Sequence, residues 1–591
     1  MIKTSLSTIC FILLPCCVFL SCRLNKNTST AVEDAKKETV VKTQKLSIVQ
    51  KLKESDHLPV AERIALYHKL KKEGPAVYDF ENETELTLYG YASLWANKTT
   101  EAIEIFKLIA AEFPNSANAY DNLGEAYGKN GNKELSLANY KRSLELNPDN
   151  FNAEDQVERI NYPDRIPLKP QEKFAKVYSA AAYRADLDQL GNTLLKVHPN
   201  ALKFISKKAF WKTIEEKKAL VTDNTTYGEF AWHCSEIIAS VNCSHTDMGS
   251  FYAQNEMLPA ALRFPLQTRW TDNRLYVIDP SANAGLKVKD EILSINGTAV
   301  AEIMPAIYRH ISSQGFTQTS QKHVFNTWSS RMIPYALGFP ASYNIVIKGV
   351  KDPVALNMPG KVKNLFEDPS VKGCPSKLCF EVLSHPQKTA ILSIYSFNYY
   401  PWANLSVFKD FIDSSFKKIR EGGVEYLIID LRFNSGGSQQ AGIHLLRYLV
   451  DKPFTYYSKA DFKGKTEKID GEEPTVPFEN GFKGKLYYLI DGNGKSTTGH
   501  FMSLVKVLKL GTIIGEELGS NQFCSAGQTI CRLKNTKLEY YVADNTHEST
   551  ATSLPDETGI LPDHYVTQSI DDYLNKVDAV KGFAIKLIEK Q

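Results

Sequence analysis

The chain has 591 residues, of which 43% are apolar, 23% charged and 11% aromatic, a globular mix that excludes a mainly disordered or collagen-like protein. At about 100–200 residues per domain this length predicts roughly three to five domains. Lys+Arg 70 against Asp+Glu 67 leaves a net charge of +3, which gives no reason to expect a nucleic-acid partner.

Residues 1–22 read as a targeting segment. Lys3 is the one charge before Arg23, and residues 9–20 are almost wholly apolar but short of the roughly 20 residues of a membrane span. The segment ends Phe19-Leu20-Ser21-Cys22. This resembles a bacterial lipoprotein signal, which implies lipidation of Cys22, although Phe19 stands where an aliphatic residue is usual. An ordinary cleaved signal with a coincidental Cys is the alternative. No later stretch is long and apolar enough to span a bilayer, so a lipid anchor would be the sole membrane attachment. Residues 23–45 are polar and lack aromatics, as suits a tether. These features predict a cell-envelope lipoprotein facing the periplasm or the surface.

Cys10, Cys16, Cys17 and Cys22 belong to the signal. The others fall as Cys234/Cys243, Cys374/Cys379 and Cys524/Cys531. An even set in an exported chain favours disulfides over metal, with the connectivity open. No His companions stand at zinc spacing.

Residues 46–160 are helical in pattern, and two segments, 83–116 and 117–150, superpose at one offset. Gly90 matches Gly124, Phe106 matches Tyr140, Pro114 matches Pro148, and Ala102 matches Ser136. The pattern resembles tetratricopeptide (TPR) repeats, whose helix pairs need a Gly at the close approach and an aromatic opposite. The resemblance implies a docking or spacer module capped by the helical residues 46–73; a protein partner at its face is left open.

Residues 165–260 carry helical periodicity, for example over 227–242. From 262 to 350 the texture changes to short strands and turns. Residues 285–297 (GLKVKDEILSING) resemble a PDZ domain's turn and strand, with Lys289 replacing the usual Gly. That resemblance implies a peptide-binding β-barrel, with Phe264-Pro265-Leu266 as the carboxylate-binding loop. A spacer that binds nothing is the alternative.

The chemistry lies in residues 355–575. Residues 426–437 (YLIIDLRFNSGG) run from an apolar strand into a turn whose glycines let backbone N–H groups converge on an oxyanion. Residues 485–491 form a second apolar strand, followed by Gly492-Asn493-Gly494-Lys495-Ser496-Thr497-Thr498-Gly499-His500. Together these resemble the tail-specific (C-terminal-processing) serine peptidases. The resemblance implies Ser496 as nucleophile, with N–H groups of Gly436, Gly437 and Thr497 in the oxyanion hole. Thr497, Thr498 and His500 depart from the family pattern, and Ser496 could equally serve as a helix N-cap. Residues 512–517 (TIIGEE) match the family's next strand, but no Lys follows, so the Ser/Lys-dyad branch is excluded.

The tricorn-like branch uses a Ser-His-Ser-Glu tetrad. Its pieces match Ser244-His245 upstream and Glu557-Thr558-Gly559-Ile560-Leu561-Pro562-Asp563 downstream. The resemblance implies His245 as base, Ser244 hydrogen-bonded in its network, and Glu557 as its orienting carboxylate. The expected fold is multidomain α+β: an α-helical TPR module, a PDZ-like barrel, an α/β-sandwich peptidase core, and a C-terminal helix at 576–591. The expected function is a serine endopeptidase acting on unfolded or C-terminally presented polypeptides through an acyl-enzyme, without metal or organic cofactor. A catalytically silent, peptide-binding scaffold is the alternative, and an esterase would use the same machinery.

Overall fold

The computed structural model describes residues 45–591 apart from 167, 249–256, 281–282, 284, 359–373, 375, 400–404 and 462–470. The signal, Cys22 and all of the tether but Lys45 lie outside the described residues. The chain divides into two compact units, Met1–Pro167 and Leu168–Gln591. Among the described residues no helix is long and apolar enough to cross a membrane.

In the first unit, helices Glu83–Trp95 and Thr99–Glu112 form one hairpin, and Ala117–Lys129 and Lys133–Leu146 form the next. The matched residues meet in space. A Cβ on Gly90 would lie 2.6 Å from the Phe106 ring, and one on Gly124 would lie 3.0 Å from the Tyr140 ring. The aromatic of each second helix thus fills the hollow left by the glycine of the first. Ile48–Lys53 and Val60–Glu73 supply the apolar cover before the first hairpin, through Ile48, Val49, Leu52 and Tyr67.

The second unit is built on a six-stranded sheet. Its order is His564–Tyr565, Thr512–Gly515, Lys485–Ile490, Tyr426–Asp430, Thr389–Ile394 and Leu378–Val382. All pairings are parallel except the last, which is antiparallel. The inner strands are apolar at successive positions because both faces are covered. Leu427, Ile429, Tyr488 and Ile490 face the core with helices Ser406–Glu421, Gln439–Leu446 and Thr497–Val507. Ile428, Tyr487, Leu489 and Ile514 meet the C-terminal helix Ala579–Glu589 on the other side. The loops at 431–437, 491–496 and 516–522 therefore emerge at the carboxyl ends of adjacent parallel strands, the usual seat of a ligand in an open parallel sheet.

Helices Ala180–Val197, Lys207–Leu220 and Tyr227–Ala239 pack with Leu533, Leu538, Tyr540 and Val542. Asp186 fixes this docking by accepting from the N–H groups of Asn535 and Thr536 and from the Thr536 hydroxyl. Downstream of the third helix, Asp247 and Tyr541 exchange both backbone hydrogen bonds. Residues about three hundred positions apart are thereby joined.

Residues 262–356 form a second sheet, with strands Gln267–Thr271, Arg274–Asp279, Glu291–Ile295, Tyr343–Ile347 and Val354–Leu356 in that order. Lys289 has a positive φ, +78°. The expected peptide-binding role of Phe264 and Leu266 is corrected: both side chains are buried in the core of this sheet. The edge beside them is occupied as well. Asn326 accepts from the Trp270 N–H at 2.7 Å and donates to its carbonyl at 3.1 Å, while the Phe264 N–H donates to Ser330 O. An added strand would find the polar groups of Trp270 already satisfied.

The cysteine expectation is also corrected. Among the described residues only Cys374 and Cys379 are bridged. Cys234, Cys243, Cys524 and Cys531 are free thiols, the first three buried, and Cys243 lies beside the strand that carries Cys524 rather than beside Cys234.

Candidate active site

Two loops at the carboxyl ends of neighbouring strands make one wall of the site, and Asn434 joins them. Fully buried, Asn434 donates to Ile394 O and accepts the Gly436 N–H at 3.0 Å on its side-chain oxygen. The Thr498 hydroxyl lies 2.9 Å from both Asn434 oxygens, and the Lys495 N–H donates to the Asn434 carbonyl. Thr497 donates its hydroxyl to Gly437 O at 2.6 Å. The two threonines that depart from the family pattern thus fasten the nucleophile loop to the glycine turn. His500, another departure, is buried against Tyr457 and His547.

Arg432 anchors the turn from behind. Its guanidinium binds both oxygens of Asp430 and both of Asp578, the residue capping the C-terminal helix. These carboxylates hold the Arg432 pKa well above its usual value despite burial. Removing one partner of a buried ion pair costs about 3–5 kcal/mol. Arg432→Ala is therefore expected to lower unfolding stability by about that much, read as a drop in the urea midpoint; an unchanged midpoint would refute this.

Ser496 sits immediately before helix Thr497–Val507 at φ 54°, ψ −124°, a conformation that costs a non-glycine residue of order 1–3 kcal/mol. Its hydroxyl makes no capping bond, so the N-cap alternative is not realised. Gly436 and Gly437 also have positive φ, +96° and +139°, and a Cβ on Gly436 would lie 2.7 Å from the Ser496 Cβ. Among the described residues, no acceptor engages the N–H groups of Gly437 and Thr497. The Gly436 N–H is spent on Asn434. Gly436 is therefore removed from the expected oxyanion donors, and its missing Cβ lets the turn approach Ser496.

His245 arrives from the opposite side. Gln528 donates to its carbonyl, and Thr246 is held by Ala543 N–H and by Ser312. The ring Nδ1 lies 3.3 Å from the Ser244 hydroxyl and 3.4 Å from the Cys524 sulphur. Burial pushes its pKa down to about 4, helped by the positive charge of Lys495 and by His547 and His198. Among the described residues no hydrogen bond joins Ser496 to His245, whose Nδ1 is instead met by the Cys524 sulphur.

The predicted role of Glu557 is also corrected. Its side chain is exposed and makes no hydrogen bond to Ser244 or His245 among the described residues, while its carbonyl accepts from Phe316 N–H. The loop is instead held from inside by Asn521 and Gln522, which bind the carbonyls of Asp556 and Leu554 and the Asp556 carboxylate.

The motif reading missed Cys524, Asn434 and a buried network under the nucleophile loop. In that network Glu516 is bound by Lys322 and, at 2.6 Å, by His323, whose other ring nitrogen accepts from Asn493. Despite burial, the Lys322 ammonium and the hydrogen bond with His323 hold the Glu516 pKa far below the carboxylate range. Asn493 and Phe433 in turn bind Asp491, which closes both loops.

No curated protein matches the chain. Among solved structures, mature CPAF complexed with lactacystin is 14% identical over 69% of this chain and 97% of its own, with a TM-score of 0.46. The photosystem II D1 C-terminal processing protease is 14% identical over 68% and 98%, at 0.32. The tricorn protease is 16% identical over 70% of this chain and 37% of its own, at 0.30. Residues 388–566, which hold the glycine turn, Ser496 and Glu557, match the model of Peptidase family S41. That match supports a serine-type peptidase.

Proposed function

We propose that Ser496 is the nucleophile of a cell-envelope endopeptidase that cleaves unfolded or C-terminally presented polypeptides through an acyl-enzyme. One observation carries this reading: a left-handed serine at a helix start, flanked by the two unengaged N–H groups of Gly437 and Thr497. A serine hydroxyl is a weak nucleophile at neutral pH, so it needs a base in attack and an acid at the leaving amine. Neutral His245 fills both roles. The hydroxyl of Ser244 at Nδ1 orients the ring. The tetrahedral oxyanion forms between Gly437 N–H and Thr497 N–H, where fixed donors stabilise charge as it develops. Export and lipidation at Cys22 would put this activity at the membrane surface, and the helical repeat would serve for docking.

Labelling with a fluorophosphonate tests the assignment. Wild type is expected to label, and Ser496→Ala and His245→Ala are expected not to. The exposed Glu557 and the missing Ser496–His245 hydrogen bond favour a second reading, a catalytically silent peptide-binding scaffold. It prevails if wild type neither labels nor cleaves any unfolded protein offered.

The pH dependence follows from His245. Its depressed pKa keeps it a neutral base well below the usual histidine range, so kcat/KM is expected to hold to about pH 5 and halve near pH 4. Folding responds in the same direction. His198, His233 and His245 titrate near 4 when folded and near 6.5 when unfolded, so the unfolded chain binds more protons as pH falls. Their contribution is intact above about pH 6.5 and drains away from there to about pH 4. Thermal midpoints that fall across this window agree with the expectation, and flat ones contradict it.

A further inference from the structure

His245 meets the sulphur of Cys524, and among the described residues no hydrogen bond joins it to Ser496. The Cys524 sulphur lies 3.4 Å from His245 Nδ1 and 4.0 Å from Nε2. A second thiol lies beside it. Cys243 and Cys524 both donate to the same carbonyl oxygen, that of Ser525, each at 3.5 Å. Cys243 also stands two positions before His245, so any movement of one thiol toward the other acts directly on the base. Both are free and buried.

We propose that Cys243 and Cys524 are a redox pair whose disulfide withdraws the Cys524 sulphur from the His245 ring and lets the imidazole reach the nucleophile. The proposal rests on the assignment of Ser496 and His245 made above. A disulfide requires the sulphurs at about 2.05 Å, which takes Cys524 off the ring. Burial keeps both thiols protonated at neutral pH, with Cys243 pushed up to about 11, so neither reacts unaided. His245 supplies what is missing. Its neutral Nδ1 takes the Cys524 proton, and the thiolate attacks one oxygen of hydrogen peroxide, an oxidant small enough for a buried site. The S–O bond forms as the O–O bond breaks, and the departing hydroxide takes the imidazolium proton and leaves as water. Cys243 sulphur then attacks the sulfenic sulphur; the S–S bond forms, the S–O bond breaks, and hydroxide leaves as water with the Cys243 proton. Two thiols and one peroxide give one disulfide and two waters. The enzyme is thus restrained while reduced and released when oxidised.

The experiment compares the full chain, reduced and peroxide-treated, as wild type, Cys243→Ser, Cys524→Ala, Cys524→Ser and Cys531→Ser. Three readouts are taken: non-reducing peptide mapping, carbethoxylation of His245 by diethyl pyrocarbonate, and the rate of fluorophosphonate labelling. Peroxide is expected to join the peptides of Cys243 and Cys524 in wild type and Cys531→Ser. It should quicken carbethoxylation and raise labelling by about 10²-fold, within the span of general-base assistance. Cys243→Ser and Cys524→Ser should show no rise, and Cys524→Ala should label at the oxidised rate without peroxide. The absence of the cross-link, or a cross-link that leaves His245 no more reactive, overturns the proposal. If the cross-link forms and His245 gains reactivity while Ser496 never labels, the redox pair stands and the nucleophile assignment fails.

Discussion

Ser496→Ala is expected to lower the rate of peptide hydrolysis by about 10⁶-fold, and His245→Ala by nearly as much. The double variant should be no worse than either single one, because a nucleophile and its base act as a unit. The reason lies in the bond order of the reaction: without the hydroxyl no acyl-enzyme forms, and without the imidazole the hydroxyl keeps its proton. What survives is the oxyanion pair of Gly437 and Thr497. Rates on an unfolded protein substrate, with denaturation midpoints for each variant, measure the effect. Retention of more than about one per cent of activity by Ser496→Ala would refute the assignment, since one lost acyl-enzyme step cannot be that cheap.

The second large effect belongs to Gly437. A Cβ there would lie 2.2 Å from the Phe397 carbonyl carbon and 2.3 Å from the Asn398 nitrogen, at a φ of +139° that other residues avoid. The turn can only move away, and it takes the Gly437 N–H with it. Loss of one oxyanion donor costs about 10²–10³ in kcat, and Gly437→Ala is expected to lose at least that much, with KM changed far less. Gly436→Ala should fail differently. Its Cβ would press on Lys495 O at 2.6 Å and on Ser496 Cβ, so it displaces the nucleophile rather than a donor. Separate kcat and KM values, and fluorophosphonate labelling of Gly436→Ala well below that of wild type, distinguish the two. Near-normal kcat in Gly437→Ala would remove it from the oxyanion site.

The sequence made the glycine turn and the serine loop legible because their pattern is local. An apolar strand, a glycine turn and a serine opening a helix lie within short runs, and the structure sets the two loops side by side as their adjacent parallel strands require. The paired glycines and aromatics of the helical repeat were legible for the same reason, since each pair satisfies one packing contact. Cys524 was not legible. It reaches His245 through a register between Phe523–Ala526 and Asn545–Ser549 and through docking held by Asp186, neither of which leaves a short-range pattern. Phe264 and Leu266 misled because a motif fixes a turn's shape and not which side of it faces the core. Glu557 misled because its phrase fixes the loop by backbone contacts, with Asn521 and Gln522 doing the holding.

The link from Arg432 to Asp578 has a consequence for how the protein is made. Asp578 starts helix Ala579–Glu589, so the glycine turn gains its anchor only after the ribosome has added residue 578. His245 is translated early and Ser496 late, and the clamp that steadies the oxyanion turn comes later still. A nascent chain in transit therefore carries these chemical groups before it has a rigid place to use them, and a polypeptide cut short before Asp578 would leave the Arg432 guanidinium held by Asp430 alone.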